Sequence, residues 1–438
     1  MAPAADESGV TPERVTRTIE AVWRMEAAKI TAVVARLVGD VGLAEDLAQD
    51  AVVQAIEQWP RDGIPDRPGA WLTATARRRA IDRIRRDVNL AAKLELVGHA
   101  EELRVADLAE GDLDAVLEDI DDDVLGLIFA ACHPSLTAQA RICLTLRMIG
   151  GLTTREIARA FLSQESTIGQ RISRAKKSLS ADGVTIEVPS GAELAPRLAS
   201  VLEVVYLVFN EGYAATSGRD WVRGDLMEEA IRLGRVLAAL VPREPEVHGL
   251  LALMEIQASR TRARVDRDGE PVLLLEQDRT RWDWSLVRHA LTALARGAEL
   301  CGIPPGGGAP AGSVGPYLLQ AEIAACHARA RTAEATDWVR IVGLYGVLGS
   351  MRPSPVIELN KAVALSYASG PAAALEVVDQ LRGSPALADY HLLPSVRGDL
   401  LARLGRNDEA REEFARAAAM TQNEAERNLL LRRAANPT

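Results

Sequence analysis

The chain has 438 residues, 48% of them hydrophobic, and a formal net charge of −10, enough material for two or three domains with cores of their own. There is no run of eighteen apolar residues, and the N-terminal "MAPAADESGVTPER" has neither a basic start nor an apolar core, which argues against membrane insertion and secretion and makes the cytoplasm the expected location. Four scattered cysteines, Cys132, Cys143, Cys301 and Cys326, do not make a disulfide framework and are expected to be reduced. With 4% aromatics, abundant Ala, Leu, Arg and Glu, and no alternating β-branched run, the expected fold class is all-α.

The first informative element is "GLAEDLAQDAVVQAIEQW", residues 42–59. Leu43, Leu47, Ala51, Ala55 and Trp59 recur at helical spacing as an inward ridge, with Ala44, Ala48, Val52 and Ile56 beside it. Glu45, Asp46, Gln49 and Asp50 fall on the open side, a pattern that fits a solvated helix face as well as a protein-binding one.

Next comes "WLTATARRRAIDRIRR", residues 71–86, with six arginines in its last ten positions. Leu72, Ala76, Ala80, Ile84 and Val88 form the stripe of a packed helix, which places Arg77, Arg78, Arg79, Arg83, Arg85 and Arg86 on its flanks. A basic flank can simply be solvated. Clustered arginines on one short helix can also neutralise several phosphates and release their counterions, giving salt-dependent attraction to nucleic acid. Trp71 at the helix start is placed either to stack on an unpaired base or to pack between helices. Residues 101–123 then reverse the sign, with eleven carboxylates against Arg104, the composition of a solvated tether.

The segment "LTTREIARAFLSQESTIGQRISRAKKSL", residues 152–179, reads as helix-turn-helix. Thr153 and Glu156 make a capping box, with Ile157, Ala158 and Phe161 inward. Leu162 stands where such turns often carry glycine. In the second helix Ile168, Ile172, Ala175 and Leu179 share one face; Ser166, Gln170, Ser173 and Lys177 share the other, flanked by Arg171 and Arg174. Short polar side chains ahead of cations suit base edges first and phosphates after, as in a recognition helix laid in the major groove. An ordinary helical hairpin is the plainer alternative.

These three segments, in this order, resemble the extracytoplasmic-function sigma factors of bacterial RNA polymerase over roughly residues 15–180. The resemblance implies that residues 42–59 dock on the polymerase clamp through Asp46, Gln49 and Asp50. It implies that Trp71, Arg77, Arg78, Arg79, Arg83 and Arg86 read and melt the minus-ten element. Ser166, Thr167, Gln170, Arg171, Arg174 and Lys177 would read the minus-35 element. Arg78 stands where the family usually has asparagine. In that family the connector threads the polymerase's RNA path, where Asp112, Asp114, Glu118 and Asp119 could mimic RNA phosphates.

Residues 180–191, "SADGVTIEVPSG", have a linker's composition. Beyond them, 393–433 repeats small and large apolar residues around "LGR", 337–381 looks like a degenerate earlier repeat pair, and 193–301 is helical but less regular; this is tetratricopeptide-like spacing. The sequence resembles the sigma-factor subgroup with such a C-terminal extension, including "YLVFNEGYAAT" (206–216) and "DRDGEPVLLLEQDRTRWDWSLV" (266–287). "GIPPGGGAPAGSVGP" (302–316) reads as a loop.

The expected organisation is a sigma domain at 15–88, an acidic linker at 89–123, a helix-turn-helix domain at 124–182, a short linker at 183–192 and a helical-repeat regulatory extension at 193–438. Asp266, Asp268, Glu270, Glu276 and Asp278 lack calcium-loop spacing. Cys132 and His133, like Cys326 and His327, lack a second ligand pair for zinc. No metal, cofactor or enzymatic activity is expected. The expected partners are core RNA polymerase and promoter DNA, with an intramolecular contact or protein partner at the extension and no membrane. The rival reading is a ligand-responsive helix-turn-helix regulator that is not a polymerase subunit.

Overall fold

The structure is a computed structural model that describes residues 12–93, 120–161, 163–213, 224–267, 271–303, 314–421 and 423–437. Among them there is no strand, and Val265 and Pro271 form an isolated antiparallel bridge, so the all-α expectation holds. Most of the acidic tether, including Asp112, Asp114, Glu118 and Asp119, lies outside the described residues, as do Leu162 and most of the Pro- and Gly-rich loop.

Two compact units divide the chain, residues 1–207 and 208–438. The first begins with α1 (Pro12–Val38), α2 (Val41–Asp62) and α3 (Pro68–Lys93). Asp40 caps α2 by accepting from the Leu43 amide at 2.7 Å. Gly63, at φ 88°, lets the chain leave that helix in a conformation costly for other residues. Pro68 pre-sets the first turn of α3. Leu72, Ala76 and Ala80 of α3 are fully buried, and the edge of Trp71 meets the buried Trp59 ring 5.5 Å away. Of the two placements open to Trp71, the structure takes the packed one.

Four further helices follow: α4 (Ile120–Ala131), α5 (Ala138–Met148), α6 (Thr154–Ala160) and α7 (Glu165–Ala181). The capping box closes as the sequence predicts. The Glu156 amide donates to the Thr153 hydroxyl at 3.1 Å, and the Thr153 amide donates to the Glu156 carboxylate at 2.8 Å. The buried face of α7 is Ile168, Ile172, Ala175 and Leu179, the set its periodicity picks out.

Residues Ile30 to Ala35 of α1 are buried without interruption. A helix buried all round has several neighbours; here they include α2, α3 and α4. Gly151 sits against α1, where a Cβ would lie 3.3 Å from that of Ala27 and 3.5 Å from the Trp23 carbonyl oxygen, and it adopts φ +67° besides.

The next helix, α8 (Leu194–Tyr213), belongs to the first unit up to residue 207. Arg197 donates to the Phe129 carbonyl at 3.0 Å, Ser200 to the Cys132 carbonyl at 2.6 Å, and Arg141 to Ser200 at 2.5 Å and to Glu203 at 3.0 Å. The polar bonds of its first half therefore go to α4, α5 and the turn between them.

In the second unit, α9 (Gly224–Leu240), α11 (Trp284–Leu300) and α12 (Pro316–Arg329) surround the almost wholly buried α10 (Pro245–Ser259). Then α13 (Trp338–Met351), α14 (Pro355–Ala368), α15 (Pro371–Leu381), α16 (Leu392–Arg403), α17 (Asn407–Met420) and α18 (Glu424–Ala435) each pack on the next. Their core runs through Leu375, Leu400, Leu401 and Phe414. Gly398 lets α16 approach α17, since a Cβ there would be 2.9 Å from the Phe414 ring.

Candidate nucleic-acid interface

The second helix of the helix-turn-helix, α7, buries one face and leaves Ser166, Gln170, Ser173, Arg174 and Lys177 exposed on the other, with Thr167 and Arg171 half-buried at its edges. The short helix α6 is anchored at its start. Burial alone would raise the Glu156 pKa, but bonds from the Thr153 backbone and hydroxyl, together with Arg24, hold it below the usual carboxylate range. The result is a fixed platform carrying hydroxyl and amide groups ahead of cations, which suits base edges and phosphates in turn.

On α3, Arg78, Arg83, Arg85 and Arg86 are exposed, whereas Arg77 and Arg79 are half-buried. Arg79 reaches α2, bonding Asp50 at 3.1 Å and Gln54 at 3.4 Å. Arg83 pairs with Asp87 at 2.8 Å, and Arg86 donates to the Asp82 carbonyl at 3.2 Å. Two residues expected to act on different partners, Arg79 and Asp50, are thus joined to each other. Pairs this exposed contribute little and exchange readily for phosphates or other partners.

The outward row of α2 needs two corrections. Glu45, expected on the open side, is 3% exposed because Arg147 of α5 and Lys176 of α7 close on it at 2.6 and 2.5 Å, and Gln49 donates to it as well. Ile56, expected beside the inward ridge, is 54% exposed, and Val53 is 51% exposed. The ridge is carried by the buried Ala44, Leu47, Ala48, Ala51, Ala55 and Trp59, and the helix turns Val53 and Ile56 outward. Asp46, Gln49, Asp50, Val53 and Ile56 consequently share one accessible stripe that is acidic at its start and apolar toward its end. Val53 was the residue sequence reasoning missed. Its three-residue step from Asp50 was the available signal.

Elsewhere, His327 is half-buried with its ring edge against Trp338, 5.2 Å between centroids. Burial, helped by Arg260 and Arg279, pushes its pKa down to about 4. Among the described residues no cluster of three or more His, Cys, Asp or Glu is placed to hold a metal, and no helix is long and apolar enough to cross a membrane.

This geometry agrees with the chain's similarities. Sigma-70 region 2 matches residues 22–89, Sigma-70 region 4 matches 127–179, and a family of unknown function, DUF6596, matches 197–298. The probable ECF RNA polymerase sigma factor SigI of Mycobacterium tuberculosis is 28% identical over 178 residues, 39% of this chain and 57% of SigI, so the match spans little more than half of that protein. The ECF RNA polymerase sigma factor SigK of Mycobacterium ulcerans is 30% identical over 155 residues, 34% of this chain and 78% of SigK. No solved structure matches. Regions 2 and 4, in this order and with these relatives, support a sigma factor of the ECF class. The chain belongs to the family of the uncharacterized protein R00370 of Rhizobium meliloti, with which it is 43% identical over 389 residues, 88% of either chain.

Proposed function

We propose that this protein binds core RNA polymerase and directs it to promoters, with α7 reading the minus-35 element and α3 reading and melting the minus-ten element. The outward face of α7 carries the reading. Ile168, Ile172, Ala175 and Leu179 are turned inward, and the opposite face presents the donor, acceptor and cation set of a recognition helix. Exposed Arg78, Arg83 and Arg86 supply phosphate contacts from α3, while Arg77, Arg79 and Trp71 line its packed side. The stripe from Asp46 to Ile56 on α2 is the docking surface for the polymerase clamp, where charge complementarity at one end and apolar burial at the other suit a protein partner. The working divisions are the sigma domain at 15–88, the linker at 89–123, the helix-turn-helix domain at 124–182 and, after 183–192, an extension of tetratricopeptide-like helical pairs at 193–438.

The extension controls activity. A cavity of about 470 Å³ in the second unit, whose lining includes Trp338, Tyr345, Tyr367, Asp399 and Arg433, gives a ligand or a peptide side chain a place to act. The test is run-off transcription with core polymerase, the full-length chain and a library of promoter fragments, read by sequencing the transcripts. Initiation should depend on the chain and share two sequence boxes. Specific retention of DNA by the chain alone, with no initiation and no polymerase binding, would replace this reading by the ligand-responsive regulator. For the extension's role, truncation belongs after residue 207 rather than 182, because residues 194–207 pack on α4 and α5. Constitutive activity of that truncation would make the extension inhibitory, and lost activity would make it a positive element.

A further inference from the structure

The lining of the 470 Å³ cavity in the second unit divides by chemistry. Trp338 of α13 and Tyr367 of α14 stack with ring centres 4.4 Å apart and planes 20° from parallel. The Arg403 guanidinium lies 4.4 Å from the centre of the Tyr367 ring while donating to the Ser366 hydroxyl at 2.8 Å and to its carbonyl at 3.0 Å. The aromatic pair is thus fixed before anything binds. Leu273 and Tyr367, 37% and 38% exposed, leave apolar surface open in the lining, which a bound molecule would take out of water.

The polar part of the lining carries unused donors. Arg433 of α18 gives one nitrogen to Asp399 and lies 4.4 Å from the centre of the Phe414 ring. Its other N–H groups bond nothing among the described residues, although a guanidinium presents five donors in a fork that matches a carboxylate. The side chains of Asn360 and Ser395, also in the lining, make no bond among the described residues either.

The field around the cavity is positive. Asp399 is shared between Arg433 and Arg403, the second 3.9 Å away. Behind His327, which lines the cavity, Arg260 and Arg279 are each 8% exposed. They bond neutral oxygens, the Tyr213 hydroxyl at 2.6 Å and the His327 and Ala330 carbonyls at 2.5 Å, so their charges are not cancelled there. Burial and these two arginines hold the His327 ring neutral, with a pKa of about 4. The second carboxylate of the lining, Glu276, is exposed to solvent, where water and salt screen it.

We propose that this cavity binds a small amphiphilic organic acid, with its carboxylate on the unused N–H groups of Arg433 and its apolar body against the leucines at 273–275 and the Trp338–Tyr367 pair. This rests on the reading of the extension as the element that controls activity, and narrows its ligand to one class. A cavity of this size takes a drug-sized molecule. Because the 273–276 segment and the faces of α13, α14 and α16 all contribute to it, it suits a compact body better than an extended peptide.

The test is calorimetry on the full-length chain with two matched sets of probes: naphthylacetate, naphthylacetamide and naphthylethylamine, then octanoate, octanamide and octylamine. At least one acid should bind about tenfold more tightly than its amide and its amine. Arg433→Gln should erase the preference for acid over amide and leave amide binding in place. Val363→Trp, which fills the cavity from α14, should abolish binding of every probe with the circular dichroism unchanged. Should either variant fail to fold, the other and the wild-type selectivity still decide. An acid that binds no better than its amide, or an amine that binds best, would overturn the acid assignment. Neither acid binding at about 1 mM, or an acid whose affinity survives in folded Val363→Trp, would overturn the site, and capture of an uncharged apolar octapeptide by a chain that ignores both acids would give the cavity to a peptide. Selective acid binding that leaves polymerase-dependent initiation unchanged would keep the site and remove the extension's control, whereas a chain that never supports initiation fails the sigma-factor reading alone.

Discussion

Arginine is used in opposite ways in the two units. On α3 and α7 the exposed arginines stand on helix flanks: Arg83 has Asp87, itself exposed, and Arg78, Arg85 and Arg174 are exposed as well. In the second unit Arg264 lies 3.7 Å from the centre of the Tyr213 ring. Arg279 donates to the His327 and Ala330 carbonyls at 2.5 Å each. Arg397, 8% exposed, joins Asp379 at 2.7 Å and Glu413 at 3.0 Å. A cation enclosed by carbonyls, carboxylates and rings is structural, because its donors are already spent. One on an open flank keeps them for phosphate. The difference teaches that a count of basic residues does not locate a nucleic-acid surface.

The largest effect that would sharpen this contrast is Arg397→Ala. Removing the cation leaves the buried Glu413 with only the half-exposed Arg416, 3.0 Å away, and should cost about 3 kcal/mol of stability in urea unfolding. Promoter affinity of the polymerase complex should not change.

A second prediction concerns acid. Because the folded-state pKa of His327, about 4, lies below its ordinary 6.5, the unfolded chain takes up a proton first as pH falls. The stability held above pH 6.5 is therefore lost progressively down to pH 4, by up to about 3 kcal/mol. His327→Phe, which keeps a ring against Trp338, should flatten that pH dependence between urea melts at pH 7 and pH 5. An unchanged slope would show that another group is responsible.

On the flank side, Arg83→Gln with Arg86→Gln should leave the melting temperature within a degree or two while lowering promoter affinity of the polymerase complex. If each arginine meets one phosphate, the slope of log affinity against log salt should fall by about 2. Loss of stability without a change in slope would place these residues with Arg397. Smallest of all is Asp50→Asn. The Arg79 pair it breaks is about half exposed on both sides and should be worth no more than about 1 kcal/mol to the fold, so any larger loss of polymerase binding reports on docking.

What could be read from the sequence follows from how far each feature reaches. The capping box at Thr153 and the inward face of α7 depend on residues three or four apart, and both were legible. Glu45 was placed on the wrong side because its partners, Arg147 and Lys176, are 102 and 131 positions away in the chain; periodicity tells which residues share a face, never what covers it. Ile56 and Ala55 are neighbours of similar apolar character, and only the close fit of alanines against α1 and α3 decides which turns inward. The buried arginines of the second unit gave no signal at all, since nothing local distinguishes Arg397 from Arg86. The same limit hid the first half of α8, whose bonds to α4 and α5 cross from a segment that reads as the start of a separate extension.

One measurement reaches the central claim most directly: footprinting of a single selected promoter fragment by the full-length chain alone, by core polymerase alone, and by the two together. Protection of both boxes should arise only with the two together, accompanied by reactive unpaired thymines near the minus-ten element. A footprint made by the chain alone, unchanged in position when polymerase is added and without unpaired bases, would contradict the account.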